Sequence, residues 1–487
     1  MLFNSLPYIL LFLPITLLVY FWLCSSKHAR LASPWLVVAS LFFYSYWNPV
    51  YLPLIVGSIS VNFFLGNWLI RSARRPVLVA GIVLNIGLLG YFKYANFIAD
   101  NLNAWAGTQI ALAPIELPLA ISFFTFLQIA YLVDCYQQKV TDTDFVRYSL
   151  FVTFFPHLIA GPLVHHKELM PQFSVKENRS FNWSNFYLGL SIFFIGLFKK
   201  VFIADTFAVW ANTGYNAGTP LMFFDAWGTS LSYTLQLYFD FSGYSDMAVG
   251  ASLLFNIRLP WNFNSPYKAT NIQDFWRRWH ITLSRWLREY LYIPLGGNRK
   301  GALLTYFNLF ITFLLGGLWH GASWTFVIWG ALHGAAVMTH RAWQNVGLRM
   351  PDWMGWLLTF LFVNVAWVFF RARDFADAMR VLQGMVDIES AQVSMGFANA
   401  INYFIDSTLV QVTGVAITPV LPIATLLGLL ICLPLAWYAR NSIEISEQLA
   451  EKTSAAWLFL VWLAASVAMY QLLFMSSRIS EFIYFNF

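Results

Sequence analysis

Charge is scarce in this chain. Asp, Glu, Lys and Arg make up 11% of its 487 residues and hydrophobic residues 59%, whereas an ordinary soluble domain carries about 25% charge. So little charge cannot give a chain of this length a wetted surface, which excludes a soluble globule. Cysteine is nearly absent too. Cys24, Cys135 and Cys432 each stand alone in or beside an apolar run, so neither a disulfide framework nor a cysteine metal site is expected. The first apolar run has no basic segment before it and no small-residue cleavage site after it. It therefore reads as a membrane span and not as a leader. No internal repeat and no low-complexity tract is visible.

What the chain has instead is apolar runs. They fall at about 6–24, 34–47, 51–70, 77–94, 117–135, 148–163, 185–203, 226–253, 303–318, 323–340, 354–370, 419–438 and 456–474. Most approach the ~20 residues an α-helix needs to cross hydrocarbon. They predict an all-α polytopic membrane protein of about ten to thirteen transmembrane or re-entrant helices, re-entrant pieces being allowed where protein covers their backbone. Lys27 and Arg30 follow the first run, Arg71, Arg74 and Arg75 the third, and Lys139 and Arg147 the fifth. The 95–116 loop has no basic residue, although Lys93 lies at its membrane edge. Basic loops mark the cytoplasmic side, so the N-terminus is expected outside. The long stretch too mixed to span is 371–418. There "RARDFADAMRVLQGM" sets Phe375, Met379 and Leu382 at helical spacing among charges, the pattern of a surface or interfacial helix. The chain reads as one membrane domain, 1–487, with a peripheral or interfacial insert at 374–417.

Against this apolar background stands "WRRWHITLSRWLREYL", residues 276–291. On a continuous helix Arg277, Arg288, Arg285 and Arg278 fall within roughly 100° of one another, with Trp276, Trp279, Trp286 and the leucines opposite. His280 falls at the edge of the apolar face. One reading is an interfacial helix whose arginines meet lipid phosphates; the other places a phosphate-bearing ligand over them. "YIPLGGNRKG" after it lacks the phosphate-loop spacing and reads as a tight exit loop.

His320 lies in "FLLGGLWHGASW", between two apolar runs and beside Trp319, Gly316, Gly317 and Gly321. An ionisable residue at membrane depth is costly and generally faces a cavity or partner, and the glycines would admit another backbone or a slim substrate. His333 and His340 cannot share its face on a continuous helix, and packing is the expectation for both. "LQLYFDFSGYSDMAVG" sets Asp240, Ser242 and Tyr244 inside an apolar span, where carboxylates need partners or water. Lining of a common cavity is expected of them. The histidines of "FFPHLIAGPLVHHKEL" lack metal-ligand spacing, so no metal is expected.

"FDFSGYSDMAVG", "FWRRWHITLSRWLREYLYIPLGGNRKG" and "LGGLWHGASWTFVIWGALHG" resemble the membrane-bound O-acyltransferase family, and more closely its bacterial branch that includes the alginate O-acetylation membrane subunit. "GYFKYANF", "FFPHLIAGPL", "LFKKVFIADT" and "WVFFRA" fit that branch. The resemblance runs over about residues 1–373 and resumes at "FIYFNF". It implies helices around a central tunnel. It also implies acyl transfer from a cytoplasmic thioester, acetyl-coenzyme A as donor substrate with no cofactor, toward an acceptor outside. The family's Trp-His-Gly histidine maps onto His320 and its second polar position onto His280. Extracytoplasmic acetylation proteins and a polysaccharide acceptor are the implied partners, and the bacterial inner membrane the implied location. Arg277, Arg278, Arg285 and Arg288 would then hold the donor's phosphates, and Trp276 and Trp319 would line the path to His320. His320 would act as general base or carry the acyl group itself. A D-alanyl or peptidoglycan acyltransferase of the same family, or a transporter of polymer or lipid-linked sugar, is the alternative.

Overall fold

The computed structural model describes residues 1–159, 161–394, 423–451, 465, 466 and 469. Among them every regular element is helical and no strand occurs. Six helices are long and apolar enough to cross a membrane: Tyr8–Ser25, Pro49–Arg71, Arg75–Ala106, Trp183–Tyr215, Ala302–His320 and Asp352–Arg371. A bent pair, Thr425–Tyr438 with Ser442–Leu449, raises this to seven. Each coincides with an apolar run of the sequence. The expected ten to thirteen also counted Ala32–Ser45, Ile121–Tyr136, Phe223–Leu254 and Trp324–Val346, which form as helices but are shorter or more polar. The run at 456–474, the segment 395–417 and "FIYFNF" lie outside the described residues.

Two of these helices are central. Phe223–Leu254 is buried over nearly its whole length, and so is Ile121–Tyr136. A helix shielded from lipid by other helices can carry polar side chains that a lipid-facing span could not. The Trp183–Tyr215 helix runs along Phe223–Leu254, and a π-helical turn at Lys199–Ala204 brings Lys199 and Lys200 against it. Lys200 Nζ lies 2.7 Å from both Asp205 and Asp240, all three buried. Lys199 bonds Asp246 at 2.7 Å. The intramembrane carboxylates are thus paired, as burial requires.

The 148–163 run is not one span. It divides into Phe145–Thr153 and Phe155–Leu158 at Phe154, ahead of Gly161 and Pro162. The helix expected beyond Arg371 spans Phe375–Val386 and packs on Phe223–Leu254. It buries Ala378, Val381 and Met385, while Phe375 stays 55% exposed. Of the triad picked out by spacing, Met379 and Leu382 are half-buried and Leu382 packs on the core, so Phe375 is the member left outside.

Candidate active site

The arginine–tryptophan segment is not one helix, which corrects the continuous wheel drawn over 276–290. Ile272–Arg278 ends, His280 turns into the left-handed region with φ 43°, and Ile281–Leu287 starts anew. The break is held from outside the segment. Asn264 N–H donates to Arg278 O at 2.9 Å and Ile281 N–H to Asn262 O at 3.0 Å. Asn262 Oδ1 also accepts from the Thr282 backbone N–H at 3.3 Å and the Thr282 hydroxyl at 3.0 Å. An atom that takes a backbone N–H must be the amide oxygen. His280 Nδ1, 3.0 Å away, is therefore the donor, and Nε2 carries the lone pair of the neutral ring. Sequence reading passed over Asn262, since "WNFNSP" looks like any polar turn.

Breaking the helix also separates the four arginines. Arg277 and Arg288 are exposed. Arg278 Nε bonds Asp274 at 2.9 Å, and Arg285 grips Glu168 with two bonds of 2.6 and 2.9 Å. Burial pushes the Glu168 carboxyl up, but the Arg285 guanidinium outweighs this and holds it below the usual carboxylate range. Beside this pair, Asp134 collects His165, His166 and Tyr290 within 3.1 Å. His165 Nδ1 accepts from Lys167 N–H at 3.3 Å, so Nε2 holds the proton and donates. Asp134, His165 and His166 bring ligand-type atoms within 4.8 Å of one another, a cluster that their spacing in the sequence did not announce.

His320 is the last residue of its helix and 4% exposed. Trp319, Trp329 and Phe370 put ring centroids 4.9, 5.1 and 5.2 Å from its own. His280, His333 and Lys93 are all close enough to couple electrostatically with it. The Gly-Gly pair before it serves a backbone approach. A Cβ on Gly317 would stand 2.4 Å from Phe326 O and 2.8 Å from Gly330 Cα, so the Ala302–His320 and Trp324–Val346 helices touch through glycine. Trp319 stacks on Phe126 at 4.9 Å, and Trp286 stacks on the same ring at 3.7 Å. Trp276 donates its indole N–H to His333 Nδ1 at 3.2 Å, so His333 is a packed, hydrogen-bonded residue, and His340 is half-buried.

A cavity of ≈ 820 Å³ reaches Gly321, next to His320. Lys93, Asn96, Asp100, Ile115, Tyr233, Gln236, Phe326, Phe370, Arg371 and Arg373 are among its lining residues. Asp240, Ser242 and Tyr244, expected to line a cavity, do not line this one; nor do Trp276 and Trp319. Asp240 sits instead in the lysine triad, and Tyr244 stacks on Phe3 at 4.6 Å. The residues taking their place from the same helix are Tyr233 and Gln236, one to two turns earlier. Because Asn96, Asp100 and Ile115 belong to the 95–116 region, the cavity lies at the end of the helices away from the Arg71–Arg75 and Lys139–Arg147 loops, with Arg371 and Arg373 on its own side.

A sequence profile of MBOAT, the membrane-bound O-acyltransferase family, matches residues 79–373. The chain is 51% identical to a peptidoglycan O-acetyltransferase of Helicobacter pylori, over 81% of each chain. It is 43% identical to a probable alginate O-acetylase of Pseudomonas aeruginosa, over 81% of this chain and 76% of that one. A teichoic acid D-alanyltransferase of Bacillus subtilis is 27% identical over 53% of this chain and 69% of its own length.

Proposed function

The chain belongs to the membrane-bound O-acyltransferase family and is a multi-pass membrane acyltransferase, and from that premise we propose that it moves an acetyl group from cytoplasmic acetyl-coenzyme A across the bacterial inner membrane for O-acetylation of an extracytoplasmic polysaccharide. The observation that carries this reading is the placement of His320: buried at the end of its helix, ringed by Trp319, Trp329 and Phe370, and one residue from a cavity at the end of the helices away from the Arg71–Arg75 and Lys139–Arg147 loops. The donor is charged and comes from one side, whereas the acceptor waits on the other, so chemistry belongs between them.

In this reaction His320 takes the proton of the acceptor hydroxyl as its oxygen attacks the thioester carbonyl. The tetrahedral intermediate collapses, the carbon–sulfur bond breaks, and the proton passes to the leaving thiolate. His280 orients the acceptor or donor through Nε2. Arg277 and Arg288, exposed and on the cytoplasmic half, are the arginines best placed to meet donor phosphates. Arg278 and Arg285 are engaged with Asp274 and Glu168 and serve more to fix the segment.

The higher identity to the peptidoglycan enzyme than to the alginate enzyme favours peptidoglycan as the first acceptor to test. An exopolysaccharide such as alginate or cellulose is the second reading, and extracytoplasmic acetylation proteins would complete transfer. Purified protein in proteoliposomes should release coenzyme A from acetyl-coenzyme A and pass labelled acetyl to an outside acceptor. His320→Ala should lower turnover on the order of a thousandfold while leaving the protein folded. Near-normal turnover by folded His320→Ala would refute the assignment, and transport without thioester cleavage would favour the transporter alternative.

A further inference from the structure

The Ala302–His320 helix stops inside the protein, and three residues separate it from Trp324, where the next helix begins. Its last carbonyls face no following helical N–H, and Gly321 is extended, with φ −162° and ψ 152°. Donors come from a different span. Tyr94 donates its hydroxyl to Leu318 O at 2.6 Å. Lys93 Nζ donates to Trp319 O at 2.5 Å, to His320 O at 3.1 Å and to Ser122 Oγ at 3.2 Å. Neighbouring residues thus cap three successive carbonyls, those of 318, 319 and 320. The π-helical turn Gly90–Tyr94 within Arg75–Ala106 is what sets the two side by side.

We propose that Lys93 and Tyr94 form a clamp on the end of this helix that aims the His320 imidazole for acyl transfer, with Lys93 as a positioning residue whose ammonium is needed for turnover. The inference rests on the acyl-transfer reading of His320. Neutral donors suffice to cap a helix, as Tyr94 shows. Even half-buried at the membrane edge, an ammonium is costlier to desolvate than a hydroxyl or amide, so its use asks for a reason beyond capping. Two features supply one. Lys93 lines the cavity that reaches Gly321, and it couples electrostatically with the His320 ring. All three of its N–H bonds go to neutral oxygens, and among the described residues no carboxylate stands within ion-pair distance of it. Its N–H groups are therefore spent on the end of this helix and on Ser122. A cation at a helix C-terminus is also favourable with the helix dipole, so one group both fixes the carbonyl end and supplies positive potential where a thioester oxygen gains negative charge.

The test compares turnover of acetyl-coenzyme A by equal amounts of folded, monodisperse protein. Lys93→Met should lower kcat about a hundredfold with the apparent donor KM changed less than about threefold, the pattern of an interaction made in the transition state. Tyr94→Phe should cost roughly fivefold in kcat. Lys93→Cys supplies a second reading, independent of how well Lys93→Met folds, on one and the same folded sample. Alkylation with 2-bromoethylamine rebuilds an ammonium of nearly lysine length and should restore at least about a tenth of wild-type kcat, whereas iodoacetamide, which adds a neutral amide, should not. Wild type treated alike controls for Cys24, Cys135 and Cys432. The clamp is overturned if folded Lys93→Met keeps kcat within about fivefold, if donor KM absorbs the effect, or if both reagents or neither restore Lys93→Cys. A wild type that cleaves no thioester would instead bring down the acyl-transfer reading, and the clamp with it.

Discussion

One amide oxygen decides which nitrogen of His280 can do chemistry. Asn262 Oδ1 is committed by the Thr282 backbone N–H and hydroxyl, so it accepts from Nδ1 and leaves Nε2 as the basic nitrogen. The Thr282 hydroxyl in turn accepts from Leu163 N–H at 2.9 Å, which ties the 161–164 loop into the same network. If His280 works through its tautomer, removing the oxygen should hurt more than removing a methyl-sized volume would. Asn262→Ala is expected to lower kcat tenfold or more, since a positioned proton-transfer group is worth about 10²–10⁴, while Thr282→Ser, which keeps the hydroxyl, stays within about threefold. Steady-state kinetics on the two purified variants check this, and equal kcat values would show that the ring needs no such orientation.

At the scale of elements, the long apolar runs were legible because hydrocarbon permits few alternatives to a helix. The Tyr8–Ser25, Pro49–Arg71, Ala302–His320 and Asp352–Arg371 helices all start and stop within a few residues of runs visible in the sequence. What could not be read was the break at His280. No Gly or Pro marks it, and the bonds that hold it come from Asn262 and Asn264, about sixteen residues away; a wheel drawn on one helix has no access to such tertiary override. The glycines beside His320 were noticed, yet only the structure assigns them partners. Gly317 meets Gly330, whereas a Cβ on Gly316 would stand 3.4 Å from Leu287 Cδ1, an ordinary contact. Gly330→Val places a Cβ 2.6 Å from Phe313 O and should cost about 1–3 kcal/mol of overpacking. Thermal unfolding in detergent should show that loss for Gly330→Val and little change for Gly316→Ala. Equal stability of the two would mean that the helices do not meet through this glycine.

Over the whole molecule, charge placement and cavity placement make one argument about sidedness. Lys27, Arg30, Arg71, Arg74, Arg75, Lys139 and Arg147 cluster after alternate spans, and Arg299 and Lys300 precede the Ala302–His320 helix, whose far end is His320. Helices alternate direction, so the cavity beside Gly321 belongs to the opposite face from all of these residues. In a protein freed of its own cysteines, Ser323→Cys, which lines the cavity, should react with a membrane-impermeant maleimide added to spheroplasts. Lys139→Cys, half-exposed at 50%, should react only after the membrane is opened. The modified Ser323→Cys protein should also lose acetyl transfer to an outside acceptor while its donor KM stays within about twofold, because the adduct fills the acceptor side and leaves the donor side alone. Labelling in the reverse order would invert the topology and place the cavity on the donor side. Labelling in the expected order with transfer intact would keep the topology and move the acceptor path elsewhere. Either result is read directly from the gel shift and the acetyl count, without reference to which polymer the cell acetylates.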